Sequence, residues 1–323
     1  MAKQTKIDVK SLLLLTLISA TLALSSSSKY NRADYHNYPP PGCIEVVDGL
    51  FYDQTECANV HWREYMFWTE LVFGKFSKEH LATFPDIEIW KKLDIELNKT
   101  LPSYFQHTKS EFNFFPIVGI SQEQAEQYSK WRSDRVFEMI LVRRGIIKHD
   151  TAQTAETYFT IEKFFNKELS NILKGEPIEY IPEYRLPTIE ERKKLMQHVD
   201  SLKAISLKNR NSGKWLKCVQ SKLSIWMDIN LADYDFEKEL PFRSIISGCD
   251  ALKKVSFYNL RGNVGEWLFE PNISAGGGWI DNKEYFQQQD TISTLGPNAW
   301  TGFRNVFEWK KWEGCSNRNS SDN

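Results

Sequence analysis

Hydrophobic and polar positions change rhythm several times along this chain, and each change predicts an element. Lys3, Lys6 and Lys10 precede an apolar run from Ser11 to Leu24, the layout of a secretory signal peptide. Thr21 and Ala23 are small enough for the pockets of a signal peptidase, so residues 1–23 are expected to be removed, or else to stay as an N-terminal anchor. The run is shorter than the roughly 20 apolar residues of a spanning helix, and Ser25 to Ser28 follow it. Residues 24–38 read as a linker that enters the folded part at Pro39-Pro40-Pro41-Gly42. Cys43 to Val47 and Leu50 to Asp53 flank Asp48-Gly49, which predicts a hairpin, because β-branched residues surround a turn dipeptide. Asn59 is placed to cap a helix that carries Tyr65, Trp68 and Val72 on a core stripe and stops at Gly74.

Ser121 and Gln124 form a capping box for a helix with Ala125, Tyr128, Trp131 and Arg135 on one side. A helical period returns over residues 152–174 through Tyr158, Ile161, Phe165, Leu169 and Ile172. After Arg185-Leu186-Pro187, Thr188 and Glu191 make a second capping box, so an extended segment turns abruptly into a helix. From about Trp215 the pattern changes to short strands and loops, clearest at Leu223 to Ile229, Glu266 to Phe269 and Phe303 to Trp309. Residues 311–323 are a polar tail.

Charge narrows the functional classes. The 323 residues hold 41 Lys and Arg against 42 Asp and Glu, and no basic patch stands out, so nucleic acid is not an expected partner. The 11 Trp, 13 Tyr and 20 Phe favour irregular loops pinned by aromatic rings over a plain helical bundle. Cys43, Cys57, Cys218, Cys249 and Cys315 are widely and irregularly spaced; an odd number leaves at least one unpaired or intermolecular, and both a disulfide and scattered thiols stay open. The six histidines show no zinc spacing, and the His61–Glu64 pair, one helical turn apart, is a common accident. There is no nucleophile elbow, P-loop or dinucleotide fingerprint. Asn98 and Asn272 open tripeptides that fit glycosylation acceptors in a eukaryotic secretory pathway.

Several segments, in order, carry a family likeness. These are Phe115-Pro116-Ile117-Val118-Gly119-Ile120-Ser121 with Gln124-Ala125 and Tyr128-Ser129-Lys130-Trp131, then Arg185-Leu186-Pro187-Thr188-Ile189-Glu190-Glu191. Gly262-Asn263-Val264-Gly265-Glu266-Trp267, Gly276-Gly277-Gly278-Trp279 and Gly302-Phe303-Arg304 follow. Together they resemble the formylglycine-generating enzyme (sulfatase-modifying factor) family. The resemblance implies one α+β domain over residues 39–310, low in regular secondary structure and related to the C-type-lectin-like fold, with a helical elaboration at about 132–184.

The family also implies chemistry. A calcium ion is expected on Asn259, Gly262, Val264 and Glu266, because Ca²⁺ takes several hard oxygens, backbone carbonyls included, and Gly262 lets the loop curl. The alternative is that Glu266 hydrogen-bonds a turn which Asn259 caps. The family's oxidases bind copper(I) through two cysteines shortly after the glycine-rich segment. Those positions fall here on Asp281 and Phe286, neither of which replaces a thiolate, so copper is not expected.

The resulting expectation is an exported protein of the periplasm, outer envelope or medium, catalytically silent, with a structural or binding role toward an envelope protein or glycan. By analogy with similar domains in bacterial gliding and secretion-machinery lipoproteins, that role is one of assembly. A membrane is a partner only if the N-terminal segment is uncleaved. Tyr285, Phe286 and Trp300 are candidate ligand-facing aromatics, with a core role as the alternative. The competing expectation is an oxidase that generates formylglycine on sulfatases, or another metal-dependent oxidase on the same fold.

Overall fold

Asp48-Gly49 does turn the chain back on itself. Strand β1 (Cys43–Val47) pairs antiparallel with β2 (Leu50–Asp53), Gly49 takes φ 75°, and a register shift between Glu45 and Val47 bulges the first strand. The computed structural model describes residues 36, 39–89, 112–166, 178–208, 245, 257–281 and 289–312, with 202–208 as backbone alone. The chain divides into two compact units, residues 1–41 and 42–323, and every strand and helix named belongs to the second. Leu169, Ile172, Leu223 to Ile229, Tyr285, Phe286, Cys218, Cys249 and Cys315 lie outside the described residues.

Helix α1 (Asn59–Phe73) comes after the hairpin. Its N-cap is Ala58, not Asn59: the Asn59 amide is drawn inward and donates to the Phe112 carbonyl at 3.0 Å. The buried stripe is Trp62, Met66, Thr69 and Val72, so of the three expected core positions only Val72 is fully buried. Tyr65 and Trp68 stand at the edge, where they meet Trp131 at centroid separations of 5.1 and 6.2 Å. Gly74 ends the helix at φ 94°, its N–H bonding the Glu70 carbonyl at 2.9 Å. A single turn, α2 (Lys78–Leu81), comes next.

Helix α3 (Gln122–Arg143) starts at the expected capping box, with Gln124 N donating to Ser121 Oγ at 3.1 Å and Ser121 N to Gln124 Oε1 at 2.9 Å. It runs unbroken through residue 132, so the expected start of the elaboration falls inside a helix. Of the helical period over 152–174, the described residues contain only α4 (Ile161–Phe165). The preceding backbone is satisfied locally instead: Thr154 N bonds Thr157 Oγ1 at 3.0 Å and Phe159 N bonds Gln153 Oε1 at 2.9 Å. Asp134 of α3 accepts from Ile161 N at 2.8 Å and pins the short helix.

Strand β3 (Tyr180–Arg185) leads through Leu186-Pro187 into helix α5 (Ile189–Lys208), with the Thr188–Glu191 box in place at 2.8 and 3.2 Å. Three short strands follow, β4 (Gly265–Trp267), β5 (Ile273–Ala275) and β6 (Thr291–Ser293), then β7 (Thr301–Gly302) and β8 (Val306–Lys311). The expected strand from Glu266 stops early because Leu268 N and Phe269 N turn away to the Ile273 and Pro187 carbonyls. The last strand begins at Val306, since the Phe303 and Asn305 carbonyls accept from Cys57 and Asp53 instead.

Two four-stranded sheets result, ordered β1-β2-β8-β3 and β6-β5-β4-β7, antiparallel except for the β4–β7 pair. An aromatic core joins α1 and α3 to the Gly302-Phe303 segment: Trp62 stacks on Tyr128 at 5.5 Å, and Phe303 meets both edge-on at 6.0 and 5.3 Å. Along α3 and β3 lies a groove of about 1030 Å³, whose lining includes Lys130, Asp134, Lys163, Glu183, Arg185 and Trp312.

Candidate functional site

The segment from Asn259 to Glu266 is a loop that curls at three positions, each held by a glycine or an asparagine. Asn259, Gly262 and Asn263 take φ 52°, 73° and 64°, the left-handed region that strains most L-residues. It is stitched to the glycine-rich corner: Gly262 N bonds the Gly276 carbonyl at 2.9 Å, and Trp279 N bonds the Asn263 carbonyl at 2.8 Å. Gly265 N bonds the Trp300 carbonyl at 2.7 Å. Both loop amides point at one acid, with Asn259 Nδ2 3.2 Å from Glu56 Oε2 and Asn263 Nδ2 2.8 Å from Glu56 Oε1.

Beneath the loop the charges alternate. Arg304 donates through Nε to Glu266 Oε1 at 2.9 Å and through Nη2 to the Tyr258 carbonyl at 2.6 Å, with Glu56 Oε2 at 4.0 Å. Arg192, from the first turns of α5, donates through Nη1 to Glu266 Oε2 at 3.0 Å and through Nε to Asp290 Oδ2 at 2.7 Å. Its Nη2 reaches the Leu260 carbonyl in the loop itself. Glu56, Arg304, Glu266 and Arg192 are 0–2 % exposed and Asp290 is 24 % exposed, so four of five charges are buried. Burial pushes the Glu56 carboxyl up to about 7, with Arg304 opposing and Glu266 adding to the rise. Burial also disfavours the Arg192 cation, but Asp290 and Glu266 outweigh it and hold its pKa above the ordinary arginine value.

The four residues to which the resemblance gives calcium do share this loop. Both Glu266 oxygens, however, are taken by guanidinium groups. A dication on Glu266 would share that carboxylate with two guanidinium cations and lie beside both, so the residues as arranged do not suit the ion.

The glycine-rich corner is a close-packed turn. A Cβ on Gly276 would lie 2.7 Å from the Leu260 carbonyl oxygen and 2.9 Å from Arg192 Nη2, and one on Gly278 would collide with the Trp300 carbonyl. Asp281, where the resemblance puts the first copper thiolate, caps that turn: Gly278 N donates to its Oδ2 at 2.7 Å, and its own N–H returns to the Gly278 carbonyl at 3.1 Å. Burial raises its carboxyl pKa, and the Gly278 bond opposes the rise. A hard carboxylate turned onto its own backbone does not suit copper(I).

The described cysteines lie elsewhere in the chain and are not activated. Cys43, on β1, donates to Asp53 Oδ1 at 3.1 Å, and Cys57 shares a hydrogen bond with Tyr128. Burial is the largest influence on both thiols and raises their pKa values, the reverse of what a thiolate ligand needs. Among the described residues no group of three or more His, Cys, Asp or Glu could hold a metal.

The comparisons with known proteins agree with the motif order. The sulfatase-modifying factor enzyme 1-like domain (FGE-sulfatase) matches residues 19–309. The chain belongs to the formylglycine-generating enzyme family. No curated protein sequence matches it. Among solved structures it is similar to the crystal structure of CarF, at 16 % identity over 80 % of this chain and 86 % of that one, with a TM-score of 0.32. Within this family chain, Arg192, Glu56 and Asp290 are the residues that sequence reasoning passed over. A signal for Arg192 existed: it opens the stripe Arg192, Leu195, Met196, Val199, whose other members are core, so a charge stands at a buried helical position.

Proposed function

We propose that this family member is exported, catalytically silent toward cysteine oxidation, and acts as a structural or binding module in the bacterial cell envelope. The observation that carries the reading is Asp281, a carboxylate where the family oxidases keep a thiolate, spent on the Gly278 turn. The raised pKa values of Cys43 and Cys57 support it, and the basic, then apolar, N-terminal segment supports export. No described helix is long and apolar enough to cross a membrane. The partner expected is an envelope protein or a glycan, met by the aromatic residues Tyr285, Phe286 and Trp300.

The test is direct. The chain from Leu24 onward is purified, offered copper(I), and incubated with a peptide carrying a sulfatase-type cysteine. Substoichiometric copper and no aldehyde are expected; aldehyde formation with one copper per chain defeats the proposal. Fractionation of an expressing bacterium tests export, with the mature N-terminus expected at Leu24 and cytoplasmic retention counting against it.

A further inference from the structure

We infer that Arg192 stands in for the calcium ion: an internal guanidinium, reaching in from α5, fixes the Asn259–Glu266 loop that a bound dication holds elsewhere in the family. The inference rests on family membership and is independent of whether the protein catalyses anything. A loop cation has three tasks here: to neutralise Glu266, to take up a carbonyl oxygen of the curled backbone, and to tie the loop to a neighbouring element. Arg192 does all three, through Nη1 to Glu266, Nη2 to the Leu260 carbonyl and Nε to Asp290; Glu266 is the one expected calcium ligand it meets, and the Leu260 carbonyl takes the place of those of Gly262 and Val264. Its planar fork of five donors can meet three oxygen groups at once, which a lysine ammonium on a flexible stem does less well.

Charge balance points the same way. Glu266, Asp290 and, when ionised, Glu56 face the two positive charges of Arg192 and Arg304; the two arginines, Glu266 and Asp290 are joined by contacts of 2.7–3.0 Å, and Glu56 lies 4.0 Å from Arg304. With both guanidiniums present, a calcium ion would leave this group one charge positive with Glu56 ionised and two with it neutral, in a site where Glu266 and both arginines are at most 2 % exposed. Take Arg192 away and the balance reverses. Glu266 Oε2, the Asp290 carboxylate and the Leu260 carbonyl would lose their shared donor, leaving hard oxygens of net negative charge, a set that suits calcium. Gly276 is part of the arrangement, because a Cβ there would meet Arg192 Nη2 at 2.9 Å.

The experiment uses the full mature chain, its elemental calcium content and its thermal unfolding with a calcium chelator or with millimolar calcium. Native protein is expected to hold well under one calcium per chain and to melt at the same temperature in both conditions. Arg192→Met is expected to melt many degrees lower and to regain part of that loss with calcium but not with magnesium. Arg192→Lys, which keeps the charge and loses the fork, should melt between the two and ignore calcium. One tightly held calcium per native chain, or a native melting temperature that drops on chelation, overturns the inference. So does an Arg192→Met protein whose melting is indifferent to calcium. Should Arg192→Met fail to fold, the native chain and Arg192→Lys still decide: chelator-sensitive melting in either one refutes the substitution of arginine for metal.

Discussion

The Asn259–Glu266 loop and the glycine-rich corner at 276–281 touch one another, and they stand to the family's sequence pattern in opposite ways. The loop keeps the residue at every expected ligand position, yet Glu266 is claimed by Arg192 and Arg304. At the corner Asp281 stands where the resemblance puts a thiolate, while the tight turn beneath Trp300 keeps the form its glycines demand. A matched motif therefore does not fix what its carboxylate meets, because a side chain outside the motif can bring a positive charge to it. A lost ligand need not disturb the backbone that displayed it, because the backbone is held by packing and by its own hydrogen bonds.

The comparison breaks most visibly at Glu266. Glu266→Gln leaves two buried guanidiniums sharing one amide oxygen, and breaking a buried ion pair from one side typically costs about 3–5 kcal/mol. Urea unfolding at pH 7 is expected to report a loss of that size; a loss under about 1 kcal/mol would mean the charges are solvated and the loop is held by its amides alone. Gly278→Ala tests the other region through sterics. The added methyl would strike the Trp300 carbonyl and lie 2.8 Å from the Trp300 Cβ, so a loss of about 3 kcal/mol is expected, the upper end for overpacking. Wild-type stability in that variant would show that the corner gives way easily.

What was legible in the sequence was local. The Asp48-Gly49 hairpin and both capping boxes were readable because each is decided by residues within four positions of one another. The loop's curl was readable from its glycine. Its electrostatics were not: Arg192 bonds partners 74 and 98 residues away, and Glu56 bonds Asn263 across 207 residues. Capping at Asn59 was misread for a related reason, since its amide bonds the Phe112 carbonyl 53 residues on. Asp281 could be identified as a non-thiol from sequence, but its job as a turn cap required the geometry.

A partly buried group in neither region sets the background for any pH measurement on the charge chain. His61, on α1, has its pKa lowered to about 4, chiefly by burial and further by Arg132, with Asp53 opposing, and its Nδ1 faces Ala58 N at 3.4 Å. The unfolded chain takes up this proton near pH 6.5 and the folded chain only near 4, so stability falls as pH drops through that window and is untouched above it. The contribution lost by pH 5 is roughly 2 kcal/mol, from linkage. Glu56 works in the opposite direction, because its folded pKa is raised, so the diagnostic is the difference between wild type and His61→Gln, not either curve alone. That difference should narrow by about 2 kcal/mol between pH 8 and pH 5. A constant difference would mean that His61 is solvated.

The smallest effect is expected at Asp281. Asp281→Ala removes the acceptor for Gly278 N, worth about 1 kcal/mol, but it also removes a carboxylate that burial penalises, so the net loss should be below about 1 kcal/mol. Asp281→Asn keeps an acceptor oxygen without the charge and should match or slightly exceed wild type at neutral pH. The pair of variants separates two accounts of the corner. If the turn is shaped by glycine packing against Trp300, both variants stay folded and Gly278→Ala remains the damaging change. If Asp281→Ala costs as much as Glu266→Gln, the carboxylate at the position where the resemblance puts a thiolate is itself the keystone of the corner, held there for structure and not by glycine packing alone.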